Sequence, residues 1–459
     1  MLERWDCGQI LKRALKRGGE FADIYIEDKI NTSIICEEDR IEKIITGRDR
    51  GIGIRVIYGH KTAYAYTNDL SEETLLNLAD TVSMAVKEGE ERNISPIQKG
   101  RLEALSVAID PSGKELKDKV SLVTDSNRTA RSVDKRVRQV KVIYGDSVKK
   151  VATANSLGEC REEKKTGVLF IVHVVVEEGG IIQTAHELEG GVIGLEIFDK
   201  TPPQEIAEQA VKRALLMLRA RKAPGGKMPV VLSSEAGGTM IHEAVGHGLE
   251  ADLAQQGLSV YSGKIGDMIA SPLITVIDDA TLPTKRGSFI YDDEGIPAQK
   301  TILVEKGVLK CFMYDRLMAL KDGVPSTGNG RRESYHHRPI PRMTNTIITP
   351  GESDPQAIIS SVEKGLFVKK MGGGQVNTVN GDFVFEVSEG YLIEGGNLGE
   401  PVRGATLTGN GPQVLKCIDM VGNDLGFGIG TCGKDGQGVP VADAQPTLRI
   451  PQIVVGGEV

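Results

Sequence analysis

The chain is poor in cysteine for its size: six in 459 residues, none in close pairs. That excludes the disulfide framework of small secreted domains. It lacks any apolar run approaching the ~20 residues that a membrane-spanning helix requires, so no membrane partner is expected. It also lacks a basic excess. Fifty-six lysines and arginines stand against 63 acids, a formal charge of −7. Binders of nucleic acid or anionic membranes usually present basic surface, so neither partner is expected. The opening stretch, MLERWDCGQILKRALKRGG, carries no long apolar core and does not read as a secretory leader. Its Ile10, Leu11, Ala14 and Leu15 recur at helical spacing instead. A cytoplasmic protein is the expectation.

Glycine is the residue in excess, 55 in all, about 12% against an average near 7%. Its placement is uneven, with 18 in residues 1–218 and 37 in residues 219–459. There is no Gly-X-Y period and no low-complexity tract, which excludes collagen and linker readings. The glycines punctuate short β-like runs, as at Gly372-Gly373-Gly374, Gly395-Gly396 and Gly426, Gly428 and Gly430. Such positions suit tight turns, bulges and close backbone approach.

The first half alternates strands and helices. Runs 22–36 and 51–66 are β-rich, with Gly59-His60 as a hairpin turn. Ser71 caps a helix whose apolar stripe includes Leu75, Ala79 and Val82. A further helix is expected over about 113–133. Strand-like runs at 137–144, 148–154, 166–177 and 180–187 follow and suggest an antiparallel meander. Thr201-Pro202-Pro203-Gln204 has a capping-box pattern ahead of Ile206, Ala207, Ala210, Val211 and Ala214, and Pro224-Gly225-Gly226 ends the segment. The division is therefore placed near 222. The expected fold class is α+β: a mixed α/β domain with an antiparallel sheet over 1–222, then a glycine-rich, β-dominated domain over 223–459 carrying one active-site helix.

Most of the seven histidines are scattered. His60 falls in the hairpin turn, and His173, within an apolar run, reads as a buried core residue. The exception is IHEAVGHGLE at 241–250. Two histidines with a glutamate beside the first are the parts of a zinc hydrolase, the imidazoles binding metal and the carboxylate moving protons. The spacing departs from the common His-x₃-His. Residues five apart are rotated by about 500°, so on a regular helix the side chains diverge by roughly 140°. His242 and His247 can share a metal only if the helix is broken or carries a π-bulge. Gly246 and Gly248 would make that distortion cheap.

An open catalytic zinc site needs a third protein ligand. Glu250, Cys417 and Cys432 are all candidates. Cys432 lies in a glycine-rich loop beside Lys434, where a thiolate is favoured, and Cys417 in an apolar, strand-like run. Residues 328–337, GNGRRESYHH, are too polar for a strand and too glycine-rich for a helix. Arg331 or Arg332 could clamp a carboxylate there, and Tyr335 or His337 could donate to an oxyanion. A solvated loop is the alternative. Asp292-Asp293-Glu294-Gly295 lacks regular metal-ligand spacing and reads as a turn.

HEAVGHGLE, with YSGKIGD at 261–267, DDEGIPAQ at 292–299, TGNGRRESY at 327–335, PRMTNT at 341–346 and TCGKDGQGVPV at 431–441, resembles the TldD family of metalloproteases through nearly the whole chain. The resemblance implies one Zn²⁺ per chain on His242, His247 and Cys432, with Glu243 as general base. It implies hydrolysis of unfolded peptides, including leader trimming, by the catalytic subunit of a heterodimer with a TldE (PmbA) paralogue. A homodimer is the other arrangement. The family's older label, modulator of DNA gyrase, finds no support in this acidic sequence. Substrate contacts are expected from Arg331, Arg332, Tyr335 and His337, and from a strand edge over Gly373 to Val379, including Gly374, or Phe383 to Val387. The competing reading is a non-catalytic peptide-binding or scaffolding protein whose zinc is structural.

Overall fold

The structure, a computed structural model, describes residues 1–86, 89–90 and 92–457. The alternation of the first half produces β1 (Phe21–Glu37), β2 (Arg40–Tyr58), β3 (Lys61–Thr67), β4 (Leu102–Ala104), β5 (Val137–Asn155), β6 (Cys160–Glu178) and β7 (Ile181–Gly191). They form one sheet in the order β3-β2-β1-β5-β6, with β4 and β7 both on β6. The pairing is antiparallel apart from the short β4–β6 contact. Runs 137–144 and 148–154 are one strand, because β1 pairs with it continuously from Asp23↔Asn155 to Glu37↔Lys141. Gly59 and His60, both at positive φ, make the two-residue turn between β2 and β3.

Helices cover one face of this sheet. Helix α1 (Cys7–Ala14) and α2 (Glu72–Met84) bury Leu11 and Leu75 against Ile24, Ile26, Ile52 and Ile54. Farther along the same strands, α3 (Leu116–Val133), the short α4 (Ile197–Lys200) and α5 (Pro203–Arg219) pack on Val140, Val142, Phe170 and Val172. The cap of α5 differs from expectation. Its cap residue is Pro202, with no side-chain bond, so Thr201 lies one position too early. The paired prolines set this start, the first extended and the second at the first helical position. His173 is exposed, correcting the core assignment: Val172 and Val174 take the inward positions, and the pleat turns His173 to solvent beside His186.

The opposite face meets the second half of the chain. Asp23 and Arg55 are direct cross-strand partners there. The Arg55 guanidinium is 1% exposed, bonds to Asp23, and lies 2.7 Å from Glu294 of the second half. Removing one member of a buried ionic set leaves uncompensated charge and costs about 3–5 kcal/mol. Arg55→Met should therefore lower the unfolding free energy by that order. Adding Asp23→Asn and Glu294→Gln should recover part of the loss. Chemical denaturation of the single and triple variants checks this; equal loss in both would assign the effect to packing.

In the second half, the strands 364–376, 226–232, 448–456, 406–410 and 382–394 pair in that order, and the last pairs back onto the first. The hydrogen-bonded path thus closes on itself. Beside it lies a second sheet in the order 308–309, 300–305, 276–279, 345–348, 437–445 and 426–434, with 426–434 at its edge. Between the two runs one hydrophobic core that includes Ile241, Val245 and Leu249 of the histidine segment, together with Met343, Leu366 and Val441.

Asp315 caps the helix Arg316–Asp322, accepting the Met318 N–H at 2.8 Å. Burial, reinforced by Glu294, pushes its carboxyl up to about 8. The unfolded chain would release that proton near pH ~4. The folded state therefore holds a proton that the unfolded state has lost, and this contribution declines as pH rises from about 4 through 8. Asparagine keeps the cap without the charge. The thermal midpoint of Asp315→Asn, relative to the parent, should rise steadily between pH 5 and pH 8. Scans at both ends check this; a constant difference would contradict it.

Candidate metal centre

The histidine segment starts from two left-handed glycines. Gly237 and Gly238 have φ of 79° and 78°, and a Cβ on Gly238 would lie 2.6 Å from the Ala444 nitrogen. The chain can therefore turn sharply and run against the strand 437–445 before the helix starts. Thr239–Ile241 is α-helical, His242–Gly246 is a π-turn, and His247–Leu249 is a 3₁₀ turn. The His247 N–H bonds to the His242 carbonyl, five residues back. That extra residue removes the ~140° divergence expected of a regular helix. The two rings end with centroids 5.1 Å apart and planes at 88°.

The glycines of the motif are needed for space rather than for backbone freedom, a correction to the expectation. Gly246 has φ of −53°, which any residue adopts. A Cβ there would lie 2.1 Å from the Met343 sulfur, and one on Gly248 would lie 2.7 Å from the Tyr261 ring. Tyr261 also donates to the Ala244 carbonyl at 3.1 Å, and Ser259 to the Gly248 carbonyl at 2.6 Å. Residues of the YSGK and PRMT segments thus hold the distorted turn from both sides.

Cys432 reaches the same point from the edge strand 426–434. Its Sγ is 3.5 Å from His247 Nε2, and donor atoms of His242, His247 and Cys432 all lie within 4.8 Å of one another. Zn–N and Zn–S bonds of ~2.0–2.3 Å at tetrahedral angles require an N···S edge of about 3.5 Å. The donor set therefore fits a single zinc. Burial alone would raise the Cys432 thiol, but hydrogen bonds from the two imidazoles bring it down to about 5, so the side chain is a thiolate at neutral pH. Cys417, by contrast, ends the helix Gly411–Cys417 and is exposed rather than in a core strand.

Each ring is backed by a carboxylate. Glu250, fully buried, places Oε2 3.0 Å from His247 Nδ1. Lys434 lies 3.1 Å from Glu250 and 2.6 Å from Asp252. Burial would raise the Glu250 carboxyl, but Lys434 and His247 outweigh it and bring it down to about 2. Asp443 lies 3.5 Å from His242 Nδ1, and burial pushes its carboxyl up to about 6 against the pull of that imidazole. Such partners orient ligand rings and fix their tautomers. Asp443, Asp252 and Arg342, which donates to the Cys432 carbonyl at 2.5 Å, escaped the sequence reading. For Asp443, the available signal was an acid inside the apolar run PVADAQ. Glu243 is half-buried, and among the described residues its carboxylate has no hydrogen bond or ion pair.

The other expected site residues lie elsewhere. Arg331 and Arg332 are buried rather than solvated. Arg331 donates to the carbonyls of Met343 and Pro440, and Arg332 to the Asp293 carbonyl and the Tyr64 hydroxyl. Tyr335 is buried against Gly51 and donates to Asp49, while His337 Nδ1 is 3.3 Å from the Ser334 hydroxyl. Asp292, Asp293 and Glu294 do form a turn, but a buried one. Phe383 to Val387 is flanked by strands, pairing with 371–376 on one side and with 406–410 along its first four residues on the other. Gly373 and Gly374 are exposed. Gly373 lines a cleft of about 640 Å³ together with Gly237, Thr239, Phe427 and Gly428.

Family models match almost the full length: PmbA/TldA metallopeptidase domain 1 over residues 22–87, the central domain over 109–218 and the C-terminal domain over 225–457. The chain is similar to the metalloprotease TldD homolog of Haemophilus influenzae, 39% identical over 451 residues, 96% of this chain and 94% of that protein. It is also similar to the zinc metalloprotease TldD homolog of Saccharolobus solfataricus, 29% identical and covering 98% of this chain and 99% of that one. Among solved structures, TldE from Thermococcus kodakarensis shares the fold, with a TM-score of 0.77 at 20% identity over 98% of this chain and 99% of that one.

Proposed function

The chain belongs to the PmbA/TldD family of metallopeptidases, and from that premise we propose a zinc-dependent peptidase that cleaves unfolded peptides. In this reading His242, His247 and Cys432 hold one zinc per chain and Glu243 is the general base. The observation that carries it is the π-turn at His242–Gly246, which gathers two histidines and a distant cysteine into one three-donor set. Bound there, zinc supplies Lewis acidity, acidifying water and polarising a peptide carbonyl. Glu243, with no hydrogen bond or ion pair among the described residues, accepts a proton from the attacking water and delivers it to the departing amine. Glu250 and Asp443 hold the imidazoles in orientation from behind.

Two features support an extended substrate. The strand 426–434, which carries Cys432, is the terminal strand of its sheet and pairs with no second strand among the described residues. Its Phe427 and Gly428 face the same cleft as Gly372 and Gly373. A peptide adding to that edge would be held by main-chain hydrogen bonds, which only an unfolded segment can offer. The proposed partner is a paralogue of TldE type, and leader trimming is the proposed specialised use.

The test is hydrolysis of one protein, alkylated and unfolded or native, by the zinc-loaded chain alone and mixed with such a paralogue. Cleavage of the unfolded form alone, suppressed by a chelator and restored by zinc, is expected. No cleavage in any arm, with zinc retained, would favour the peptide-holding protein with structural zinc.

A further inference from the structure

Behind the hairpin that carries Cys432 lies a second cleft, of about 410 Å³. Its walls are the β1, β5 and β6 face of the N-terminal sheet and segments 286–293, 331–333 and 431–440 of the second half. Thr431 and Pro440, direct cross-strand partners, line it. Side chains alternate along the strand, so Cys432 points to the opposite side. None of His242, Glu243, His247 or Cys432 lines this space.

Its charge runs against that of the acidic chain. Lys29, Lys149, Lys165, Arg286, Arg331 and Arg332 all line it. Lys149 is paired with Glu27 at 3.0 Å, and Lys165 lies 3.5 Å from Glu163. The other four have no carboxylate within ion-pair distance among the described residues. Among the described residues the Lys29 ammonium has no hydrogen bond either, and Arg286 uses only its Nε, on the Gly430 carbonyl at 3.1 Å. Arg332, 2% exposed, keeps its Nε buried without an acceptor. Of the four acids on the same walls, Asp293, its carboxyl held low against burial by Lys165, Lys149 and Arg332, and Glu333, which accepts the Gly438 N–H at 2.6 Å, offset part of this charge, and the other two do less. Asp146 is paired with Lys119 at 2.6 Å, and burial beside Glu294 drives Asp292 toward its neutral form. Arg331 and Arg332 are buried and Lys29 and Arg286 half-buried, all short of counter-charge, and a cavity beside such cations is where an anion would relieve the cost.

We propose that this cleft binds a small oxyanion of metabolite size, a phosphate or a carboxylate, held by Lys29, Arg286 and the Arg331–Arg332 wall. Guanidinium and ammonium groups on converging walls suit tetrahedral or planar oxyanions alike. The site is independent of the metal centre's occupancy and of the peptidase reading.

The test is isothermal titration of the full-length, zinc-loaded chain with inorganic phosphate in one series and succinate in another. A zwitterionic buffer at constant ionic strength removes the general salt effect. One saturable site per chain is expected, and the tighter series names the source of the oxyanion. Lys29→Gln, which breaks no existing bond, should weaken binding by roughly tenfold, as should Arg286→Gln. Saturation by neither anion up to about 10 mM would overturn the proposal. So would a saturable site with the same affinity in both variants.

Discussion

Glu243→Gln is expected to lower kcat on an unfolded peptide by about a hundredfold to ten-thousandfold, the range that one positioned general base supplies, while zinc content and the folded state stay unchanged. The substitution removes a proton acceptor without altering size. Because Glu243 has no hydrogen bond or ion pair among the described residues, it also leaves no protein group unsatisfied. It differs in this from Glu250, whose loss would free His247 Nδ1 and take one of two carboxylates from Lys434. Elemental analysis and far-UV circular dichroism, measured beside kcat, separate a chemical defect from a structural one. Full activity in the variant would remove Glu243 from the mechanism. The carboxyls then left near the centre are Asp443, buried and raised to about 6, and Glu250, buried and held down to about 2.

That test was legible in the sequence because adjacency was enough to pair Glu243 with His242. The five-residue histidine spacing likewise allows a shared metal only with a broken helix or a π-bulge, and the π-turn at His242–Gly246 is such a distortion. Periodicity carried much of the N-terminal fold. Ile10, Leu11, Ala14 and Leu15 are buried, and Gly59-His60 turns between strands as the pattern required. Where the reading failed, the deciding contact lay far along the chain. Gly246 answers to Met343, 97 positions later, and no local pattern reports a sulfur atom over an α-carbon. Tyr335 and Arg332 sit in a polar segment that reads as surface, yet they are buried on Asp49 and Tyr64 of the N-terminal sheet. His173 shows the converse: apolar neighbours suggested a core, and strand parity put it in solvent. The cationic cleft was invisible for the same reason. Its six basic residues are spread from Lys29 to Arg332 and average away in a chain of charge −7.

Cys432 joins the site across 185 positions from His247, and its removal should have the largest effect on metal binding. The thiolate is the only anionic member of the three-donor set. Its depressed pKa, about 5, means that metal need not displace a proton from it at neutral pH. With Cys432→Ala, two neutral imidazoles remain, and zinc affinity should fall by more than the roughly 10–100-fold typical of losing a partner behind a ligand. Asp443→Asn and Glu250→Gln supply that smaller scale, since each touches an imidazole on the side away from the donor triangle. Zinc per chain by elemental mass spectrometry, after dialysis against a graded chelator series under reducing conditions, ranks the four proteins. The expected order of retention is parent, then the two carboxylate variants, then Cys432→Ala. Tight retention by Cys432→Ala would remove the cysteine from the ligand set and leave Glu250 to be reconsidered. It would also favour a structural zinc, because a site that keeps its metal without its thiolate has a further protein ligand where a catalytic centre keeps an open position.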